Sequence, residues 1–255
     1  MRLALIVEYD GAEYHGFQYQ VNAPTIQEEL EKAVLRFTGE GARVNGAGRT
    51  DAGVHAEGQV VAFDTDSDHP PDRFEKALNF YLPEDISVRG AYRVDENFDP
   101  RRGASSRRYR YTILNREARS PMRRRSAHLV RGPLDVGRMR DGARLFIGEH
   151  DFAGFSGPLE DRERSTVRRV IQSAVCRAGD EVRFEVQANA FLPHQVRRMA
   201  GALVDVARGN MSIDELREIL DGASGGRVAH SLPPQGLCLV SVSYANFPPD
   251  GGETR

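Results

Sequence analysis

Apolar and polar positions follow two rhythms along this chain. One is the alternation or unbroken apolar run of a strand, and the other is the three-to-four spacing of a helix. Residues 2–10, RLALIVEYD, are an apolar run rich in branched side chains, which predicts a mostly buried strand. Over residues 23–37, APTIQEELEKAVLRF, the period is helical. Ile26, Leu30, Val34 and Phe37 recur on one face, Thr25 is placed to cap the first turn, and Glu28 can complete a capping box. ARVNGA and GQVVAFDT then read as two strands around a glycine-rich loop. PPDRFEKALNFYL reads as a short helix that starts on proline, and DISVRGAYRV as another strand.

The second half repeats that flavour. SSRRYRYTIL alternates and is rich in tyrosine, as a strand should be. LDVGRMRDGARLFIG is helical, with Leu134, Met139, Ala143 and Phe146 near one stripe despite Gly137 and Gly142. TVRRVIQSAVCRA and EVRFEVQANAF read as a hairpin of two long strands around Gly179 and Asp180. PHQVRRMAGALVDVARG begins at a proline and ends at a glycine, SIDELREILDG is a helix capped by Ser212, and LCLVSVSYANF is a closing strand. The pattern predicts an α+β fold, with helices packed on mainly antiparallel sheet. The seam lies near residues 99–104, giving an N-terminal half at 1–103, a C-terminal half at 104–247 and a loose tail at 248–255.

Composition adds a charge asymmetry. The net charge is only −2, yet eleven arginines lie between Arg101 and Arg131 against one acid, Glu117. Guanidinium groups fork onto phosphates and stack on bases, so such a run is an electrostatic footprint for a polyanion. No apolar stretch approaches the roughly 20 residues that span a bilayer, and the N-terminus has too short an apolar core for a signal peptide. The reading is a cytoplasmic protein in which Cys176 and Cys238 are reduced thiols. Familiar cofactor motifs are missing: no glycine precedes a lysine, GAGRTD lacks the third glycine of a dinucleotide fingerprint, and the histidines have no zinc spacing. His150 beside Asp151 reads as structural.

Three constellations carry chemistry. In NGAGRTDAGVH, residues 45–55, Asp51 sits among Gly46, Gly48 and Gly53 with Arg49 two residues before it. A short acid there is either a turn former or a reagent, and a loop between two strands is where a rigid scaffold presents reactive groups. In RRYRY, alternation puts Tyr109 and Tyr111 on one face with Arg107, and Arg108 and Arg110 on the other. That face is either a core or a stacking platform bordered by cations. In NAFLPHQVRRM, Arg197 and Arg198 fall in the first turns of a helix, where the dipole opposes them by a few tenths to about 1 kcal/mol unless an anion is near.

Taken together, GRTDAGVHA with GQVVAF, RRYRYTI, ANAFLPHQVRRMAG and the late GLCLV resemble the tRNA pseudouridine synthase A family, in order and in spacing, from about Leu3 to Tyr244. Two positions depart from the family pattern: Phe17 stands where tryptophan is common and Tyr19 where a basic residue is common. The resemblance implies two similar α/β halves whose sheets join across a central cleft, a homodimer, and a tRNA partner. It implies isomerisation of uridine to pseudouridine at positions 38, 39 and 40 of the anticodon stem-loop. No cofactor and no metal is called for, since nothing is oxidised or added.

By that resemblance Asp51 is the catalytic carboxylate, acting at C1′, at C6 or on the 2′ proton. It must be ionised, which calls for a neighbouring cation, and the family match gives Arg197. Tyr109 would stack on the uracil. The target nucleotide must leave the stem at a cost of a few kcal/mol, with Arg49 filling the gap or holding its phosphate. Arg107, Arg108, Arg110 and Arg198 would grip the RNA backbone. The alternatives are an RNA-binding module in which Asp51 only forms a turn, and a hydrolase using Asp51 and His55.

Overall fold

The computed structural model describes residues 1–157, 165–222, 228 and 230–248. Among these, ten strands and five α-helices are formed, and the strands pair mostly antiparallel, as the α+β reading expects. The chain divides into two compact units, Met1–Arg107 with Cys238–Arg255, and Arg108–Leu237. The tail read at 248–255 lies, apart from Pro248, outside the described residues.

The first unit is built on β1 (Arg2–Tyr9), whose apolar run is buried on both faces and which has a strand neighbour at each edge. It pairs antiparallel with β3 (His55–Asp64), Leu3 opposite Phe63, and with β4 (Ile86–Val94), Leu5 opposite Ala91. The predicted strand before the glycine loop shrinks to β2 (Asn45–Gly46), which pairs with Val61 and Ala62 of β3.

Helix α1 (Ile26–Thr38) starts where predicted: the Thr25 hydroxyl accepts the Glu28 amide at 3.3 Å, while the Glu28 carboxylate turns to Lys32. Phe37 of α1 meets Phe74 of α2 (Pro71–Tyr81) edge-on at 5.0 Å, and Phe74 lies 6.0 Å from Phe63 of β3. One aromatic line thus ties both helices to the sheet. Thr25 is fully buried, so Thr25→Ala should cost about 1 kcal/mol. A thermal melt should then fall by roughly 2–4 °C, with Thr25→Ser recovering most of it.

The second unit contains β5 (Ser106–Asn115, which begins at the boundary), β6 (His128–Val130), α3 (Val136–Leu145), β7 (Gly148–Asp151), β8 (Val167–Ala178), β9 (Glu181–Ala188), α4 (Gln195–Arg208) and α5 (Ile213–Leu220). The hairpin around Gly179 and Asp180 is present, with Val175 opposite Phe184. Leu134, Met139, Ala143 and Phe146 are buried as the stripe predicted, and α3 packs on α4 and β8. The Phe146 ring lies within 5.5–6.5 Å of Phe155, Phe184 and Phe152, which form the aromatic core. Ser212 and Glu215 close a complete capping box on α5.

One strand departs from a simple cut at residue 103. The last strand, β10 (Leu237–Ser243), pairs parallel with β3, Cys238 opposite His55 and Leu239 opposite Ala56. Residues 238–248 therefore count with the first unit rather than with the segment that precedes them.

Candidate active site

The loop between β2 and β3 is held by main chain and by buried side chains. The Ala47 amide donates to the Val60 carbonyl at 2.8 Å, continuing the sheet, and the buried Gln59 amide group donates to the Gly48 carbonyl at 2.9 Å. Arg107 reaches the same place, its guanidinium donating to the carbonyls of Ala47 at 3.0 Å, Ala104 at 3.2 Å and Arg101 at 2.5 Å. The Thr50 carbonyl accepts the Phe17 amide at 3.1 Å. Its hydroxyl pairs at 2.8 Å with the Tyr9 phenol, which is buried at the end of β1.

Asp51 follows at once. Its carbonyl accepts the Val54 amide at 3.1 Å, closing a turn in which Gly53 takes φ +77°. A positive φ at the third turn position favours glycine, which explains that glycine without any ligand. The Asp51 side chain is half-buried, while that of Arg49 is exposed. Thus Asp51 is both a turn residue, through its main chain, and a carboxylate presented from a fixed frame.

His55 belongs to the brace. Its Nδ1 lies 3.0 Å from the Asp10 carboxylate and 3.2 Å from the Gly11 amide, so β3 is tied to the turn that follows β1. That use argues for a structural His55 rather than the partner of a hydrolytic pair. His150 and Asp151 are structural as read: the Asp151 carboxylate caps the turn 152–155 by accepting the Ala153 amide at 2.9 Å, and His150 meets the Ile147 carbonyl at 3.1 Å.

In the second unit, Tyr109 and Tyr111 do share the inner face of β5, but at different depths. Tyr111 is wholly buried and its hydroxyl donates to the Pro233 carbonyl at 2.7 Å. Burial pushes its phenol far above the ordinary value, and the charge of Arg197 offsets only part of this. Tyr111 is core. Tyr109 retains 8% exposure and meets Phe191 edge-on at 5.2 Å.

Arg197 sits in the first turn of α4, where the helix dipole opposes a cation. It is clamped twice to Leu232: its Nε donates to the Leu232 carbonyl at 2.7 Å, and its own carbonyl accepts the Leu232 amide at 3.2 Å. The helix starts at Gln195 rather than at Pro193, because His194 takes φ +60°, the left-handed region, and cannot extend the helix backward. Arg198 donates to the Val228 carbonyl at 2.5 Å.

The arginine run is partly neutralised by acids that the local count does not see. Arg108 pairs with Glu185, Arg123 with Glu181 at 2.5 Å, and Arg116 with Asp180 at 3.6 Å, all on the β8–β9 hairpin. Burial alone would raise the Glu181 carboxyl, but Arg123 and Arg183 outweigh it and hold that group below its usual value. Arg110 is half-buried on β5. Arg101, Arg102, Arg119, Arg124, Arg125 and Arg131 remain on the surface.

Comparison with known proteins gives the decisive observation. Residues 5–101 and 143–245 match the family model described as tRNA pseudouridine synthase. The chain belongs to the tRNA pseudouridine synthase family. It is 43% identical over 257 residues to a protein of Myxococcus xanthus named tRNA pseudouridine synthase A, covering 99% of this chain and 97% of that protein. A protein of the same name from Geotalea uraniireducens is 43% identical over 245 residues, 95% of this chain and 99% of its own length. One from Shewanella amazonensis is 40% identical over 244 residues, covering 96% and 93%.

The match to the synthase family includes the whole of the Asp51 loop and all of α4. Asp51 stands out in the sequence, whereas Tyr9, Thr50 and Gln59, which fix its frame, do not. The available signal was a polar side chain at the end of the apolar β1 run and another at the centre of GRTD. Among the described residues, no helix is long and apolar enough to cross a membrane.

Proposed function

We propose that this chain isomerises uridine to pseudouridine at positions 38, 39 and 40 of the tRNA anticodon stem-loop, with Asp51 as the acting carboxylate. The observation that carries the reading is a half-buried Asp51 on a loop whose flanking main chain is hydrogen-bonded on both sides, in a chain of the tRNA pseudouridine synthase family. Such fixity is what positioning a reagent within a fraction of an ångström requires.

The reaction breaks the bond from uracil N1 to C1′ and forms one from C5 to C1′. N1 gains a proton and C5 gives one up, so atoms and electrons balance within substrate and solvent, and no cofactor is consumed. Asp51 acts at C1′, at C6 or on the 2′ proton. Tyr109, buried but for 8% of its surface, is proposed to stack on the uracil. Arg197, held rigidly by Leu232, is proposed as a substrate-binding cation, and Arg49, exposed beside Asp51, as the group that fills the stack vacated by the flipped nucleotide.

Arg107, Arg108, Arg110 and Arg198, together with the exposed Arg119, Arg124, Arg125 and Arg131, grip the RNA backbone. In the first set, Arg107, Arg108 and Arg198 also hold loop, strand and helix in place. A homodimer working in the cytoplasm completes the reading. The test is incubation with unmodified tRNA transcripts and mapping of pseudouridine by position. New pseudouridine at positions 38, 39 and 40 is expected. Its absence there, with modification elsewhere or none, overturns the assignment.

A further inference from the structure

Two buried hydroxyls meet beneath the Asp51 loop. Tyr9 is 3% exposed and Thr50 is 6% exposed, and their oxygens lie 2.8 Å apart. Each is anchored independently of the other. Tyr9 is fixed by its pairing in β1, opposite Ala56 of β3 and Ile86 of β4. Thr50 is fixed by its carbonyl, which accepts the Phe17 amide. A third buried side chain, Gln59, secures the start of the loop through the Gly48 carbonyl. Burial raises the Tyr9 phenol well above its ordinary value, so it remains a neutral hydroxyl at any working pH.

The peptide joining Thr50 to Asp51 therefore has its direction set from below by a buried polar contact. The carboxylate leaves the main chain one residue on, so any rotation at Thr50 swings it. We propose that Tyr9 and Thr50 are positioning residues for the reaction, their buried hydroxyl pair setting the aim of the Asp51 carboxylate. This rests on the reading of Asp51 as the reagent. A contact needed only for stability would act on folding and on turnover in proportion. A contact that aims the carboxylate lowers the chemical step while tRNA binding persists.

The experiment uses the full chain and an unmodified tRNA transcript, with single-turnover pseudouridine formation and tRNA Kd measured for wild type, Thr50→Val, Thr50→Ser, Tyr9→Phe and the double Tyr9→Phe/Thr50→Val. The expected result is a rate reduced about 10–100-fold in Thr50→Val and Tyr9→Phe, with Kd within about 3-fold of wild type. Thr50→Ser keeps the hydroxyl and recovers the rate. The double variant is no slower than the slower single, because two residues that act as one unit do not lose their effect twice. Wild-type rates in both single variants overturn the inference. So does a loss that Thr50→Ser shares, or one in which Kd weakens as much as the rate. A wild-type chain that forms no pseudouridine overturns the functional reading itself, and this inference with it.

Discussion

Asp51→Asn should leave a folded chain that still binds tRNA and forms essentially no pseudouridine. Asparagine has nearly the shape of aspartate, and the turn that carries this residue is closed by main chain, the Val54 amide on the Asp51 carbonyl. The substitution therefore removes a charge and a nucleophilic oxygen while leaving the main-chain bond of the turn in place. Loss of a group that acts in the transition state lowers the rate and spares binding, and a reduction of at least about 10³-fold is expected, with tRNA Kd within about 3-fold. The measurement is single-turnover conversion beside filter binding of the same transcript. Binding retained with turnover lost separates an isomerase from an RNA-binding module. Turnover that persists in Asp51→Asn means that the carboxylate is a turn former only.

The elements that the sequence foretold share a physical cause. The α1 and α5 helices announce themselves because period and caps agree: Thr25 and Ser212 do accept the amides they were placed to accept. β1 was legible because consecutive residues Leu3–Val7 are buried, and a strand buried on both faces needs an unbroken apolar run. What failed to show was short or distant. β6 and β7 have three and four residues, too few for a period to register. The pairing of β10 with β3 depends on a partner far away in the chain, which no local pattern encodes.

The same division runs through the candidate site. Glycine spacing and an acid at its centre marked Asp51. The hydroxyl that steadies its frame comes from Tyr9, 41 positions before Thr50. Alternation placed Tyr109 and Tyr111 on one face but could not rank their depth. That ranking depends on Pro233, 122 positions after Tyr111, whose carbonyl takes the Tyr111 hydroxyl. The charge count over 101–131 overstated the free positive surface for a like reason, since Asp180, Glu181 and Glu185 enter from a later hairpin.

Gly16→Ala should damage both the fold and this site. Gly16 has φ +96°, a conformation that costs an L-residue about 1–2 kcal/mol. Its surroundings add to this. A Cβ built there would meet the Thr50 carbonyl oxygen at 2.7 Å, and the Ala52 amide and Asp51 carbonyl carbon at 3.3 Å. These are main-chain atoms, which cannot turn away as a side chain would. Either the stretch around Gly16 or the peptides that carry Asp51 must move. The first choice strains the Phe17 amide bond to the Thr50 carbonyl, and the second displaces the carboxylate directly.

A combined loss of roughly 2–4 kcal/mol follows, which lowers the melting midpoint by about 5–15 °C. Below that midpoint, pseudouridine formation should still fall by about 10²-fold, because a misplaced reagent costs that much. Gly39 supplies the comparison. It has φ +78° at the end of α1, with nothing within 4 Å of an added Cβ. Gly39→Ala should show only the backbone cost, about 1–2 kcal/mol, and wild-type turnover. The difference between the two variants isolates the contact with the loop. Equal melting points and equal rates in Gly16→Ala and Gly39→Ala would mean that the close approach at Thr50 has no energetic weight and does not hold Asp51 in place.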